Sequence, residues 1–312
     1  MSGIISNPDG TYTRRIQFPT VPAEPNPTSP TTRVLSKDVP VNPETRTTAR
    51  LFLPREALDL PASKLPLVFY YHGGAFVYLS AASSSNHDFC SDMALQLRAL
   101  VVSLEYRLAP EHRLPAAYDD AVDALHWIAS TKEEWVTEFT DLSSCFLMGT
   151  SAGGNLAYHA GLRACEAIGD RLQPLRIKGL ILHHPFFGGS DRTGSELAMA
   201  DDPVLSLPGC DGAWSLALPV GTDRDHEYCN PTVAKEPDDR YVGIREMGWR
   251  VLVTGCFGDP LIDRQMQLAK MLEKEGVRIT THFGDGFHGM EVIDPSKAQG
   301  LFVVLKNFVY TT

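Results

Sequence analysis

Five residues, Gly149–Thr150–Ser151–Ala152–Gly153, constrain this chain more than any others. They follow the apolar run CFLM at 145–148 and open the amphipathic stretch NLAYHAGLRA. A buried strand followed at once by a helix needs a turn too sharp for bulky side chains, and small residues at both ends satisfy it. A serine at the apex of such a turn is lifted clear of the sheet edge. It then sits at a helix N-terminus, where the peptide dipoles favour negative charge. Taken alone, GxSxG also describes a plain strand-to-helix turn. In this context it makes Ser151 a candidate nucleophile.

The rest of the chain repeats the strand-then-helix rhythm. Runs at 34–41 and 48–53 read as an antiparallel hairpin. Further strands are expected at 65–71 (LPLVFYY), 100–106, 145–148, 177–184, 249–254 and 278–283. Helical spacing is expected at 87–98, 116–130, 153–167, 261–275 and 297–310. Alternation of this kind predicts an α/β fold with a central, mostly parallel, eight-stranded sheet covered by helices on both faces. With 312 residues and 43% hydrophobic side chains, one domain around one sheet is the simplest reading of residues 1–312. Two segments break the rhythm. The first thirty residues carry Pro19, Pro22, Pro25, Pro27 and Pro30, and read as an extended surface arm or, alternatively, as a lid folded over a site. Residues 186–245 are rich in glycine and proline, and an insertion there is a natural cap.

Acyl transfer needs donors for the oxyanion that forms at the attacked carbonyl. His72–Gly73–Gly74–Ala75–Phe76 follows the strand at 65–71, and its glycines let backbone N–H groups approach a ligand. The N–H groups of Gly73, Gly74 and Ala152 are the candidate oxyanion hole. His72 reads as structural, with its ring hydrogen-bonded to hold that loop. The chain order nucleophile, acid, base places the acid after the next-to-last strand and the base after the last. Asp259, in GCFGDP, is the candidate acid, with Asp263 the weaker choice. His288, in DGFHG, is the candidate base; apart from His72, the other eight of the ten histidines read as core or surface residues. His288 would take the Ser151 proton and return it to the leaving alkoxide, while Asp259 holds the imidazole in the right tautomer.

The composition excludes several other functions. A net charge of −10 disfavours nucleic acid as a partner. The six cysteines form no CxxC pair and no zinc-type spacing, so no metal is expected and a reducing compartment is. The opening MSGIISNPDGTYTRR has no apolar signal-peptide core, and no apolar run approaches the ~20 residues of a membrane span. A cytoplasmic protein without membrane insertion is therefore the expectation. Asp223, Asp225 and Glu227 alternate like a calcium loop, but Tyr228 and Ala234 stand where glycine and glutamate belong. No phosphate loop or HExxH motif occurs, and no cofactor is expected. No sequence signal fixes an oligomeric state.

Five ordered motifs carry a resemblance: HGGAF, EYRLAPEHRLPAAYDD (105–120), GTSAGG, GDPLID (258–263) and DGFHG. Together they resemble the plant carboxylesterases of the hormone-sensitive-lipase group, in the α/β-hydrolase superfamily, from about Leu65 to the C-terminus. The resemblance implies a cap made by the N-terminal segment and the 186–245 insertion. It also implies metal-free hydrolysis of small, short-chain acyl esters, and a structural role for the 105–120 block. Ala75 replaces a glycine of the family and is expected to narrow the pocket. Phe76, Tyr78, Phe186, Phe187 and Trp214 are candidate pocket residues, each equally readable as core. Two other functions stay open. One is a small-molecule receptor like the gibberellin receptors, which lack the histidine that His288 supplies here. The other is a specialised-metabolism acyltransferase, cyclase or dehydratase.

Overall fold

The structure, a computed structural model, describes residues 3–28, 32–59, 63–167, 172–233 and 239–311. Thus residues 1, 2 and 29–31 of the arm, Pro30 among them, and residues 234–238 of the insertion lie outside the described residues. The strands are β1 (Ile4–Ser6), β2 (Tyr12–Arg14), β3 (Val34–Asn42), β4 (Thr47–Pro54), β5 (Leu65–Tyr71), β6 (Leu100–Glu105), β7 (Thr140–Thr150), β8 (Ile177–His183), β9 (Arg250–Gly258) and β10 (Arg278–Phe287). The helices are α1 (Ser84–Leu97), α2 (Ala116–Ser130), α3 (Glu134–Phe139), α4 (Ala152–Ala167), α5 (Gly194–Ala198), α6 (Leu207–Ala217), α7 (Val242–Glu246), α8 (Ile262–Lys274), α9 (Met290–Ile293) and α10 (Ala298–Tyr310).

Strands β3 to β10 form one eight-stranded sheet in the order β10-β9-β8-β7-β5-β6-β4-β3. Its neighbours are parallel from β10 to β6, and only β4 runs against the rest, paired antiparallel with β6 and β3. The expected α/β architecture is therefore observed. Every residue of β5 is buried. Leu67, Phe69 and Tyr71 join the core on one face while Val68 and Tyr70 join the core on the other, the period-two alternation of a strand covered on both sides. Helices α2, α4 and α8 supply Leu125, Leu156 and Leu268 to the first core. Helices α1 and α10 supply Met93 and Leu305 to the second.

The strand order reverses around β5, which is followed by β6 on one side and by β7 on the other. Ligands of open α/β sheets bind in the crevice at the carboxyl ends of strands that flank such a reversal. Tyr71 at the end of β5 pairs with Gly149 at the end of β7, so HGG and the Ser151 turn emerge side by side in that crevice.

The described arm does more than lie on the surface. It forms a short β1–β2 hairpin, and Arg14 hydrogen-bonds the carbonyls of Val77 and Ala109 at 2.8 Å each. Val21 N–H donates to Ala82 O and Ser84 N–H to Pro19 O, clipping the arm to the start of α1. From the insertion, α6 is held by the Arg192–Asp211 ion pair and by Arg113, which donates to Ser215 O and Leu218 O. Among the described residues no helix is long and apolar enough to cross a membrane, and all six cysteines are free.

Candidate active site

Ser151 sits between β7 and α4 with φ +57°, in the left-handed region that a non-glycine residue rarely enters. Its N–H donates to His183 O, and its carbonyl accepts from Phe186 N–H, so the segment after β8 pins the turn. The flanking glycines are required by contact. A Cβ at Gly149 would lie 2.0 Å from Gly153 O, and one at Gly153 would lie 1.8 Å from Tyr71 O. The pentapeptide thus presses against the end of β5 and leaves no room for side chains.

The neighbouring HGG loop is fixed just as firmly. Gly74 has φ +103°, and a Cβ there would lie 2.1 Å from Tyr78 O. Among the described residues the N–H groups of Gly73 and Gly74 have no acceptor. Ala152 N–H begins α4, where the first turn leaves N–H groups without helical partners. His72 is fully buried, stacks on Tyr106 at 4.2 Å, and donates from Nδ1 to Gly73 O at 2.7 Å. Burial lowers its pKa to about 4, so the ring is neutral and holds the loop.

Asp259 immediately follows β9 and His288 immediately follows β10. Residues 137 and 29 positions from His288 in sequence meet at its ring: Nε2 lies 2.8 Å from Ser151 Oγ and Nδ1 lies 2.8 Å from Asp259 Oδ2. All three side chains are buried. A carboxylate only accepts, so Nδ1 carries a hydrogen and Nε2 is the free base facing the hydroxyl. Asp259 Oδ1 accepts from Leu261 N–H at 2.8 Å, and Oδ2 also accepts from Gln265 at 2.7 Å and faces His184 Nδ1 at 2.9 Å. Burial works against its charge, but the His288 and His184 rings hold its pKa well below the usual carboxylate range. Asp263 is turned away and accepts from Ser195 N–H at 2.8 Å.

Ser151 and His288 open onto a cavity of about 700 Å³. Arm residues Gly3, Ile16, Phe18 and Pro19 form one wall. Leu205, Pro208, Ala213 and Leu216 from the insertion form another. Among the described residues no Asp, Glu, Lys or Arg side chain lines it. Ala75 and Tyr78 line it. Phe76, Phe186 and Trp214 do not, which corrects their assignment to the pocket. Each is at most 1% exposed; Phe186 and Trp214 stack at 4.7 Å and Phe76 packs on Trp214 at 6.0 Å, so these rings build the core instead. Phe187 is likewise core, edge-on to Tyr158 at 5.5 Å.

Sequence reasoning missed His183, His184, Gln265 and Glu291, which gather behind Asp259. A pair of histidines ending a strand next to the strand of the acid, and a glutamate one turn after His288, were the available signals. His183, His184 and Glu291 bring metal-ligating atoms close together, as do His184, Asp259 and His288. These atoms face one another: His183 Nδ1 lies 2.7 Å from the Thr254 hydroxyl, and Glu291 Oε2 lies 3.3 Å from His183 Nε2 and 3.4 Å from His184 Nε2. In the 105–120 block, Arg107 pairs with buried Asp120 at 2.7 Å, and Glu105 accepts from Ala81 N–H at 2.7 Å.

The chain is similar to known proteins along nearly its whole length. The alpha/beta hydrolase fold family matches residues 68–291. Carboxylesterase 20 of Arabidopsis thaliana is 49% identical, over 99% of this chain and 95% of the relative. A 3-O-acetylpapaveroxine carboxylesterase of Papaver somniferum is 45% identical, over 96% of this chain and 95% of the relative. Among solved structures, an esterase of Pyrobaculum calidifontis superposes with a TM-score of 0.73 at 26% identity, covering 91% of this chain and 86% of that one.

Proposed function

This chain belongs to the plant carboxylesterases of the alpha/beta hydrolase fold, and from that membership we propose that it hydrolyses small, neutral carboxylic esters through an acyl-enzyme on Ser151. The observation that carries this reading is the line Ser151 Oγ to His288 Nε2 to His288 Nδ1 to Asp259 Oδ2. Both links are 2.8 Å, and Ser151 and His288 open onto an apolar cavity.

In the first half-reaction the Ser151 hydroxyl gives its proton to His288 Nε2 while Oγ bonds to the ester carbonyl carbon. The carbonyl oxygen becomes an oxyanion and accepts from the N–H groups of Gly73, Gly74 and Ala152. The ester C–O bond breaks, and the His288 imidazolium protonates the leaving alkoxide. Asp259 stabilises the imidazolium and fixes its tautomer without taking a proton. Water, deprotonated by His288 in turn, then releases the acid. The arm (1–31) and the insertion (186–245) serve as the cap over this site.

The lining also bears on the substrate class. A carboxylate or ammonium on the ester would enter a cavity without a charged partner, which is costly. Neutral esters therefore suit it, in keeping with relatives named as carboxylesterases, one of them for an acetyl ester.

The test is turnover of a chromogenic acetate or butyrate ester by the intact protein and by Ser151→Ala. The variant should lose on the order of 10⁴–10⁶ in kcat. An organophosphate should label Ser151 and stop turnover in the intact protein. Undiminished turnover by Ser151→Ala would refute the reading, and tight ligand binding without turnover would mark a receptor.

A further inference from the structure

Behind Asp259, on the side away from the cavity, lies a cluster of titratable groups that the acyl-enzyme chemistry above does not use. His183 ends β8 and His184 follows it; Cys256 lies on β9; Glu291 lies on α9, one turn after His288. All four are buried, and both histidines are 0% exposed.

His184 is central to this cluster. Its Nδ1 lies 2.9 Å from Asp259 Oδ2, the same oxygen that receives His288 Nδ1 at 2.8 Å. Its Nε2 lies 3.4 Å from Glu291 Oε2 and 3.6 Å from Cys256 Sγ. An ionised carboxylate oxygen accepts and cannot donate. A hydrogen on each nitrogen lets the ring give one to Asp259 at one end and face the Glu291 carboxylate, at ion-pair distance beside the Cys256 thiol, at the other. The backbone is equally committed: His184 has φ +46°, and its N–H donates to Thr254 O at 2.9 Å. A non-glycine residue persists in that region where its surroundings over-determine it, and such residues cluster at active sites.

We propose that His184 is a positioning residue of the esterase, a buried imidazolium clamped between Asp259 and Glu291 that fixes the Asp259 carboxylate and shares its charge with His288. This rests on the reading of Ser151, His288 and Asp259 as the catalytic groups. The groups facing the ring are His183 beside it, Thr254 and Cys256 on β9, Asp259 after β9, His288 after β10 and Glu291 on α9. Gln265 on α8 reaches the same Asp259 oxygen. Burial alone would lower the His184 pKa, yet its bonds to Asp259, Cys256 and Glu291 raise it well above the usual imidazole range. His183 differs: burial pulls its pKa down, so it is neutral, accepting from the Thr254 hydroxyl and turning Nε2–H to Glu291. Two anions and one cation then leave a single negative charge behind the catalytic ring instead of two. A cation on the shared oxygen opposes a second positive charge on the neighbouring ring, and removing it leaves that charge less opposed.

Two substitutions separate charge from placement. His184→Asn keeps a donor at the Nδ1 position and tolerates the left-handed backbone, but carries no charge. His184→Ala removes donor and charge together. With a chromogenic acetate ester, and with folding checked by thermal melts, kcat and kcat/KM are followed from mildly acid to mildly alkaline pH. The acid limb of kcat/KM should move up by about one pH unit in both variants. The plateau kcat should fall roughly tenfold or more in the alanine variant, and asparagine should restore most of it. A purely structural role would leave the acid limb in place; an asparagine variant whose limb stays or moves down overturns the proposal. A second readout needs no variant and no substrate. In the ¹⁵N-labelled intact protein at neutral pH, both His184 ring nitrogens should carry hydrogens, and one bare nitrogen overturns the proposal. If Ser151→Ala kept its activity, the catalytic reading would fall while this ring signature stood, so the two failures are distinguishable.

Discussion

On the cavity side of His288 the wall is mostly apolar, with neutral polar side chains such as Asn86 and Ser206 and no Asp, Glu, Lys or Arg side chain among the described residues. On the opposite side Asp259 bonds the ring directly, His184 and Gln265 bond Asp259, and Glu291 lies at ion-pair distance from His184 and His183. Both sides are built on the carboxyl ends of neighbouring strands, yet they differ in what they exclude. The cavity side keeps out charge, and the far side keeps out water. Charges in a dry, preorganised setting act more strongly and do not need to reorganise as the reaction proceeds. The substrate therefore meets a neutral surface and feels the buried charges through one imidazole.

The contrast can be broken from either side. The largest effect is expected on the far side, at Asp259→Asn, which leaves the shape but removes the charge that fixes the His288 tautomer. Its kcat should drop roughly 10³–10⁴-fold with KM little changed, as steady-state kinetics on a neutral ester would show. On the cavity side, Gly74→Ala puts a Cβ where Tyr78 O lies 2.1 Å away, at φ +103°. The loop must shift, so kcat should fall on the order of 10²–10³ while the thermal melt stays cooperative.

A third effect is one of stability. His72, behind the oxyanion loop, has its pKa lowered by burial to about 4, and His159, buried against Tyr118, to about 3. Both are neutral when folded, while an unfolded histidine titrates near ~6.5. Between these values the unfolded chain binds more protons, so stability is complete above about pH 6.5 and declines as pH falls towards the folded values. Urea unfolding at mildly acid and neutral pH should differ by of the order of 2 kcal/mol per ring by about pH 5. Equal midpoints would contradict the buried neutral rings. The smallest effect is expected at the cavity rim. Phe18 is 42% exposed and edge-on to Tyr78, so Phe18→Ala should raise KM for apolar esters a few-fold, about 1 kcal/mol, without moving kcat.

The sheet and its order-dependent residues were readable because local chemistry dictates them. A run such as LPLVFYY followed by HGG, or CFLM followed by GTSAG, can do little else than enter a sheet and turn sharply. The positions of Asp259 and His288 followed from counting strands, and β10 simply runs on to Phe287 through a bulge after Gly284. What escaped was set by packing between distant segments. For the arm, proline content alone favours a surface strap and only the family resemblance implies a cap, since nothing local announces that Ile16 and Phe18 reach a cavity lined also by Leu216. Phe76, Phe186 and Trp214 have the composition of pocket residues, and only the stack at 4.7 Å between Phe186 and Trp214 assigns them to the core. His184 and Glu291 were invisible as a pair because 107 residues separate them in the chain and neither belongs to a recognisable motif.

The central claim is that Ser151 carries the acyl group between the two halves of the reaction. The direct measurement is a rapid acid quench during turnover of an activated acetate ester, followed by peptide mass mapping. The account predicts one acetyl group per chain, on the peptide that contains Ser151, absent from Ser151→Ala. Sustained turnover with no acylated Ser151 at any quench time, or with the acyl group on another residue, would contradict it.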